Sequence, residues 1–492
     1  MNKKVIVIGS GFASLSAACY LAKDGFKVTV LEKNGSVGGR ARQLLREGFT
    51  FDMGPSWYWM PDVFERFFND FDKKPSDYYH LDKLDPGYSV YFGKNNKIDI
   101  GDSLDKIYAT FEDVEPGSST KLKKFIHEAR SNYEIAIKNL VYKPGISPLE
   151  LVTTETIKRA GQFFSNISKE VRKEFTNHKL IQILEFPVLF LGAKPSDTPA
   201  FYSFMNFADF GLGTWHPKGG MHQVILAQKK LAEELGVNFK FNHAVEKIMS
   251  KNGKADGVIA NGEAFLADVI LSGADYHHTE TLLEPKYQQY SERYWDKKTF
   301  APSSLLFYVG FDKKLKNVSH HNLFFDVDFN SHAEAIYDQP KWPKEPLFYA
   351  NFTSLTDPNT APEGMENGFF LIPLAPDLKD TKELREEYFD KILTRFEAIT
   401  QQKVKKNIIF KESFGVKDFV KEYNSYKGNA YGMANTLLQT AFLRPKLKSS
   451  KIEQLYFTGQ LTVPGPGVPP SLISGKLVSE LISKHHQVKT VS

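Results

Sequence analysis

The chain has 492 residues, 41% hydrophobic and 25% charged, enough for two or three domains with cores of their own. That composition excludes a disordered or fibrous chain, and a net charge of +5 spread among alternating lysines and acids excludes a nucleic-acid-binding stripe. The single cysteine, Cys19, excludes an internal disulfide and reads as a buried structural thiol on the apolar side of a helix. The 13 histidines include three adjacent pairs but no i, i+4 ligand spacing with a carboxylate or thiol, so no metal is expected.

The first 42 residues carry the strongest signal. Val5 to Ile8 is a β-branched run, Gly9-Ser10-Gly11 follows, and an Ala/Leu-rich helix from Phe12 to Lys23 stops at Gly25. A second strand, Lys27 to Leu31, closes on Glu32. Strand, glycine turn, helix, strand and acid in that order and spacing predict a Rossmann βαβ unit. Gly9 permits the tight turn, Gly11 lets the backbone approach a pyrophosphate, and the helix N-terminus offers that anion free N–H groups. Glu32 stands where a carboxylate accepts the hydroxyls of an adenosine ribose. Ser14 replaces the third glycine, small enough for close helix–strand packing. The continuation Gly38-Gly39-Arg40 suits a loop folded over the same dinucleotide, an extension typical of two-domain FAD oxidoreductases. Val5 to Ala22 lacks charge and mimics a signal peptide, but glycines interrupt it at the βα turn and a polar Lys23-Asp24-Gly25 leads into a strand. Gln454 to Gly475 is also uncharged, but its glycines and prolines rule out one apolar helix. The expectation is a cytoplasmic, non-integral protein.

Next comes Phe51-Asp52-Met53-Gly54-Pro55-Ser56, where Asp52 and Gly54 fit a tight turn near a flavin, followed by Trp57-Tyr58-Trp59. Lys83 to Ile100 reads as strands around Asn95-Asn96, and Asp102 to about Phe207 as mainly helical. The phenylalanines at 201, 204, 207 and 210 share one face if helical, either core or the wall of an apolar tunnel. From Gly219 the α/β grammar returns: a helix to Leu235, a strand Val237 to Phe241, a hairpin at Lys251-Asn252-Gly253 and a strand ending at Gly273-Ala274-Asp275. Ser303 to about Phe414 alternates as a second sheet. Last come the strand Leu455-Tyr456-Phe457, the Gly/Pro loop from Thr458 to Pro470, a helix from about Ser471 to Lys484, and a frayed tail from Val488. Such a loop before a helix N-terminus stabilises a reduced flavin by roughly 0.3–1 kcal/mol, and up to about 2 if partly buried.

These motifs, with Gly213-Thr214-Trp215-His216-Pro217-Lys218-Gly219-Gly220-Met221 and Tyr426-Lys427-Gly428-Asn429-Ala430, run in order along nearly the whole chain. The chain resembles the bacterial-type carotenoid desaturases of the phytoene desaturase family, within the flavin amine-oxidase-like superfamily. The resemblance implies an α/β fold. A discontinuous Rossmann-like FAD-binding domain (1–82, 215–285, 445–492) carries a β-sheet substrate domain (83–101, 286–444) and a helical cap (102–214). It implies non-covalent FAD held by Gly9, Gly11, Ser14, Glu32, Lys33, Gly38, Gly39, Arg40, Gly54, Pro55, Ser56, Val245, Gly459, Val468 and Pro469. It also implies desaturation of an acyclic or partly cyclised carotenoid by hydride transfer to FAD. The substrate is either phytoene-type or a 1-hydroxycarotenoid taken at its 3,4 bond, with a quinone or oxygen as electron acceptor. The chain would dock peripherally on the inner face of the membrane through the helical region around Phe186 to Phe210. No catalytic base stands out. Asp209, Glu150 and Tyr431 are candidates, and a delocalised polyene cation is acidic enough to lose its proton without one. The loop at Gly428 would flank the flavin. The rival readings are another flavoenzyme (carotenoid isomerase, amine or protoporphyrinogen oxidase) and a non-catalytic prenyl-lipid carrier.

Overall fold

In the computed structural model, which describes residues 3–486, a five-stranded parallel sheet gathers strands from both ends and the middle of the chain. Its order is Leu455–Phe457, Val269–Ser272, Lys4–Ile8, Lys27–Leu31, Asn238–Lys240. The first strand explains why these runs are apolar at every position. Val5 and Val7 pack into the helical side of the sheet, while Ile6 and Ile8 pack with Ile248 and Val258 of a three-stranded antiparallel sheet on the other side. Both faces are covered, as a parallel sheet requires. On the helical side Phe12–Lys23 lies against Val468–His486 and His222–Glu234. Gly475 makes the first contact possible: a Cβ there would sit 2.5 Å from the Ala13 carbonyl oxygen. Cys19 is buried in this interface, and burial pushes its thiol well up, which keeps it protonated.

The second sheet has seven strands, in the order Ile408–Phe414, Ser303–Phe311, Glu366–Leu374, Phe348–Asn351, His321–Phe324, Tyr88–Tyr91, Lys97–Ile100. Its pairs are antiparallel except that between His321–Phe324 and Tyr88–Tyr91. Leu305, Phe307 and Val309 face the helix Lys382–Thr400, where they meet Ile392 and Phe396, while Leu306 and Tyr308 face the other way.

Segment 102–214 contains the helices Leu104–Val114, Ser118–Ile135, Ile167–Glu174 and His178–Glu185. The expected single helical face through 201–210 is absent. A 3-10 turn (Ala200–Ser203), one α turn (Phe204–Asn206) and a π turn (Phe207–Gly211) succeed one another. Because the pitch changes twice, the phenylalanines find different neighbours: Phe201 stacks on Phe163 at 4.7 Å and Phe210 meets Phe111 edge-on at 5.9 Å. The final helix starts at Val468, three residues earlier than expected, because Pro469 and Pro470 fall in its first turn, where no N–H is needed. The tail read as frayed, Val488 to Ser492, lies outside the described residues.

Candidate functional site

One cavity of about 520 Å³ runs from the C-terminal edge of the parallel sheet to the inner face of the seven-stranded sheet. All fifteen residues assigned to the cofactor line it. Gly9 takes a left-handed φ of +86° and donates its N–H to Leu31 O at 2.8 Å, closing the turn. A Cβ on Gly11 would meet nothing within 4 Å, so the backbone there fronts open space, and a Cβ on Gly39 would come within 3.5 Å of Gly11 Cα. The two glycine loops are thus stacked backbone on backbone, and Gly38 N–H donates to Ser10 O at 2.9 Å.

Glu32 is buried and held from both sides. Ser10 donates its N–H (2.9 Å) and hydroxyl (2.7 Å) to Oε2, and Asn34 donates its N–H (2.9 Å) and side-chain amide (3.0 Å) to Oε1. The helix Phe12–Lys23 begins beside it with no acidic residue in its first turn, leaving its positive end unopposed. Arg40 Nη2 donates to Ser425 Oγ at 2.9 Å, and the guanidinium lies 5.3 Å over the Tyr423 ring. Burial pulls it below its ordinary pKa, and Asp275 opposes that shift. Gly54 sits against this loop; a Cβ there would be 2.5 Å from Arg40 O.

Two sequence readings change. Asp52 does not serve a flavin-side turn: it ends the strand Phe49–Asp52 and accepts from Met221 N (2.6 Å) and His222 N (3.0 Å), capping the helix His222–Glu234. Gly220 follows from this, since its φ is +92° and a Cβ would lie 2.5 Å from Asp52 Oδ2. Gly428 does not line the cavity; its neighbours Ala430 and Tyr431 do.

A family profile described as flavin containing amine oxidoreductase matches residues 12–483. The chain belongs to that family. Two relatives of this oxidoreductase are the carotenoid 3,4-desaturase of Haloarcula japonica and the zeta-carotene-forming phytoene desaturase of Myxococcus xanthus. The first is 40% identical over 98% of both chains, the second 30% identical over 100% of this chain and 96% of its own. Among solved structures, an oxidoreductase from Methanosarcina mazei aligns over 97% of this chain and 100% of its own, with a TM-score of 0.63 at 18% identity.

The oxidoreductase uses FAD, and its cavity fits that group. The backbone at Gly11 fronts open space beside the unopposed N-terminus of the helix Phe12–Lys23, which suits an anionic, hydrogen-bond-accepting ligand. When bound, FAD supplies the hydride acceptor. Glu32 would hold the ribose, Gly11 and the first helix the pyrophosphate, Val245 the adenine, and Val468-Pro469 the ring system.

Beyond the cradle the lining turns apolar, with Trp57, Trp59, Phe186, Phe325, Phe329 and Ile336 among its residues. The charged lining residues Glu32, Lys33, Arg40 and Glu422 belong to the cradle end, where Arg42 pairs with Glu422 at 3.1 Å. His332 lies in the apolar wall but is neutral. Burial pulls it down to about 4, its Nε2–H donates to Pro373 O at 2.9 Å, and its Nδ1 accepts from Leu347 N. Sequence reasoning missed this wall, because helix Phe329–Tyr337 and strand Phe348–Asn351 carry no motif, and only the strand's place in the sheet and the helix's packing beside it bring them to the cavity.

The three catalytic candidates separate. Tyr431 lines the cavity, and burial raises its phenol. Glu150 does not line it; its carboxylate accepts from Gly145 N (2.9 Å) and Ile146 N (3.1 Å), pinning a surface turn. Asp209 does not line it either. It is buried behind Tyr88, whose hydroxyl donates to it at 2.7 Å, and burial pushes its carboxyl well above the ordinary range.

The aromatics expected to dock on a membrane are also redirected. Phe186, Phe201, Phe204 and Phe210 are buried in the core, so these four side chains do not face a bilayer.

Proposed function

We propose that this oxidoreductase is an FAD-dependent carotenoid desaturase that dehydrogenates the 3,4 bond near the end of the polyene. The observation that carries this reading is the continuous cavity, a dinucleotide cradle opening without interruption into an apolar arm. The arm excludes water and holds an extended hydrocarbon at the cradle, and such positioning accounts for much of the rate in a reaction needing little acid–base help. The 40% identity with the Haloarcula enzyme, over 98% of both chains, supports the 3,4 bond over the phytoene-type positions of the 30% relative. Electrons leave to a quinone or to oxygen. The purified holoenzyme should convert a carotenoid saturated at C3–C4 into a product lacking two hydrogens, with a red-shifted absorption spectrum. Dehydrogenation confined to central bonds of phytoene would overturn the 3,4 assignment. Anaerobic turnover with and without added quinone separates the two acceptors.

Peripheral membrane association belongs to the same reading, through side chains other than the buried Phe186, Phe201, Phe204 and Phe210. Among the described residues no helix is long and apolar enough to cross a membrane. Leu149, Phe164 and Leu438 are 75%, 85% and 76% exposed, with Ile146, Val152, Ile157 and Leu437 beside them in sequence. The two segments meet in space, where Lys446 Nζ donates to Gly145 O at 2.9 Å and a Cβ on Gly145 would lie 3.4 Å from Ala441 O. Segments 136–164 and 434–448 carry seven Lys/Arg against two Glu, a local excess of positive charge. Arg444 is buried and Arg159, Lys446 and Lys448 are half-buried, which leaves Lys138, Lys143 and Lys158 exposed. Apolar side chains ringed by cations fit the headgroup region of an anionic bilayer on the cytoplasmic side.

A further inference from the structure

Arg444 is a buried cation without a counter-charge. It is 2% exposed, and its guanidinium donates from Nη2 to Met433 O at 2.9 Å and to Asn435 Oδ1, and from Nη1 to Gln460 O at 3.3 Å. Every one of these acceptors is neutral. The ionisable groups around it are the phenols of Tyr202 and Tyr294, which burial keeps protonated, and a second cation, Lys298. Among the described residues no carboxylate pairs with it. Burial pulls Arg444 down to about 10, which leaves it charged at neutral pH. Behind what it sits is equally clear. Gln460, Pro466 and Gly467 line the cavity, whereas Arg444 does not. A Cβ on Gly465, whose φ is +134°, would lie 3.2 Å from Arg444 Cζ and 2.9 Å from Asn435 Oδ1, so the loop backbone rests directly on the guanidinium. The loop alone stands between this cation and the cavity, next to the start of the helix Val468–His486.

We infer that Arg444 is a positioning residue whose charge acts through the loop at 459–467 on the flavin ring, favouring its reduced, anionic form over its oxidised, neutral one. The inference rests on the ring lying against Val468-Pro469, and it does not depend on which substrate is oxidised. Removal of a hydride from a substrate leaves one negative charge on the ring, while the second hydrogen departs as a proton. An ion buried without a partner is costly to the fold, and the charge that appears beyond the loop is the partner it lacks. Enclosed by protein, the guanidinium is screened far less than a surface cation, so its field adds to that of the helix N-terminus. Three carbonyl and amide oxygens hold it in place without neutralising it.

The midpoint potential of the bound flavin, measured by dye-coupled reduction of the purified holoenzyme, tests this without any carotenoid. Asn435→Asp supplies the missing counter-charge at an atom already bonded to Arg444 and keeps the shape of the side chain. It should cut the preference for reduced over oxidised flavin about tenfold, a fall of about 30 mV for a two-electron couple. Arg444→Met should fall at least as far, and Arg444→Lys should restore most of the difference. Between about pH 6 and about pH 8 the wild-type potential should change by about 30 mV per unit, the slope for two electrons taken up with one proton. A folded, flavin-loaded Asn435→Asp with the wild-type potential overturns the inference. So does a wild-type slope of about 60 mV per unit, which marks a neutral reduced ring. If Arg444→Met fails to hold flavin, Asn435→Asp and the slope decide. Val468→Phe tests the placement separately: an unshifted flavin absorption spectrum would move the ring away from the loop. If the potentials shift as stated but no carotenoid is dehydrogenated, the desaturase reading fails and the role of Arg444 stands.

Discussion

At the residue scale, Glu32 decides whether the cradle holds a dinucleotide. Its four donors come from Ser10 and Asn34, so the carboxylate is oriented before any ligand arrives. Glu32→Ala removes the ribose acceptor and strands those donors. Two charge-assisted hydrogen bonds are worth about 1.5–3 kcal/mol each, so FAD affinity should fall by roughly 10²-fold or more. The ratio of flavin to protein absorbance after purification, and titration of the apoprotein with FAD, check this. Full flavin content in the variant would remove the dinucleotide assignment.

Asp209, a candidate base by sequence, lies behind Tyr88 and outside the cavity lining. Burial raises its carboxyl well above the ordinary 3.8, so it stays protonated in the folded chain while the unfolded chain ionises. The unfolded state then binds fewer protons, and stability falls as pH climbs above 3.8 toward the folded-state value. Asp209→Asn removes that titration. The variant should lose less of its denaturant midpoint than wild type between mildly acidic and neutral pH, and keep turnover within about tenfold, short of the roughly 10²–10⁴-fold expected for a lost general base. An inactive but folded and flavin-loaded variant would return Asp209 to the reaction.

Elements differ in how far their sequence reveals them. The first βαβ was legible because its glycines, helix and acid are local and each answers one geometric demand. The final Gly/Pro loop was legible for the same reason. The cavity wall from Phe329–Tyr337 and Phe348–Asn351 was not, since neither carries a motif and both line the cavity only through the packing of the assembled sheet, which joins His321–Phe324 to the distant Tyr88–Tyr91. The phenylalanines at 201–210 misled because a fixed helical pitch was assumed where the backbone changes pitch twice. Gly428 misled by adjacency: its φ is +67° and a Cβ would lie 2.5 Å from Val416 O, so its demand is backbone space. Gly428→Ala should therefore lower the melting temperature without changing which polyene is made. A left-handed alanine costs about 1 kcal/mol and the contact adds to it. An altered product at unchanged melting temperature would place that loop at the substrate after all.

The surface formed by 146–164 and 437–443 makes its own prediction. Replacing Leu149, Phe164 and Leu438 together with serine removes three largely exposed apolar side chains from the patch. Each is worth about 1.5–3 kcal/mol when fully buried in hydrocarbon, so co-sedimentation with anionic vesicles should drop by at least tenfold while FAD content stays at the wild-type level. Equal sedimentation would move the docking surface elsewhere. Loss of a dimer in the variant, seen by sedimentation velocity, would assign the patch to a second copy of the chain.

Across the whole molecule, the cofactor sheet is closed by its last strand. Leu455–Phe457 pairs with Val269–Ser272, which pairs with Lys4–Ile8, and the helix Val468–His486 covers the helix Phe12–Lys23. A chain ending at residue 450 would lack that strand, the helix, and cradle residues Gly459, Val468 and Pro469. It should purify without flavin and unfold without a cooperative transition, as differential scanning calorimetry would show; retained flavin would mean the N-terminal unit binds FAD alone.

That closure also sets a timetable during synthesis. Ribosomes add roughly 5–20 residues per second, so the first strand and helix wait about 25 to 90 seconds for Leu455–Phe457 and Val468–His486 to emerge. Through that interval Val5, Val7, Leu15 and Leu21 have no native cover from the C-terminal helix. Flavin capture is accordingly post-translational, and nascent chains expose an apolar βα unit that chaperones must shield. Slowing translation near the 3′ end of the message should lower the yield of flavin-loaded enzyme more than slowing it near the start.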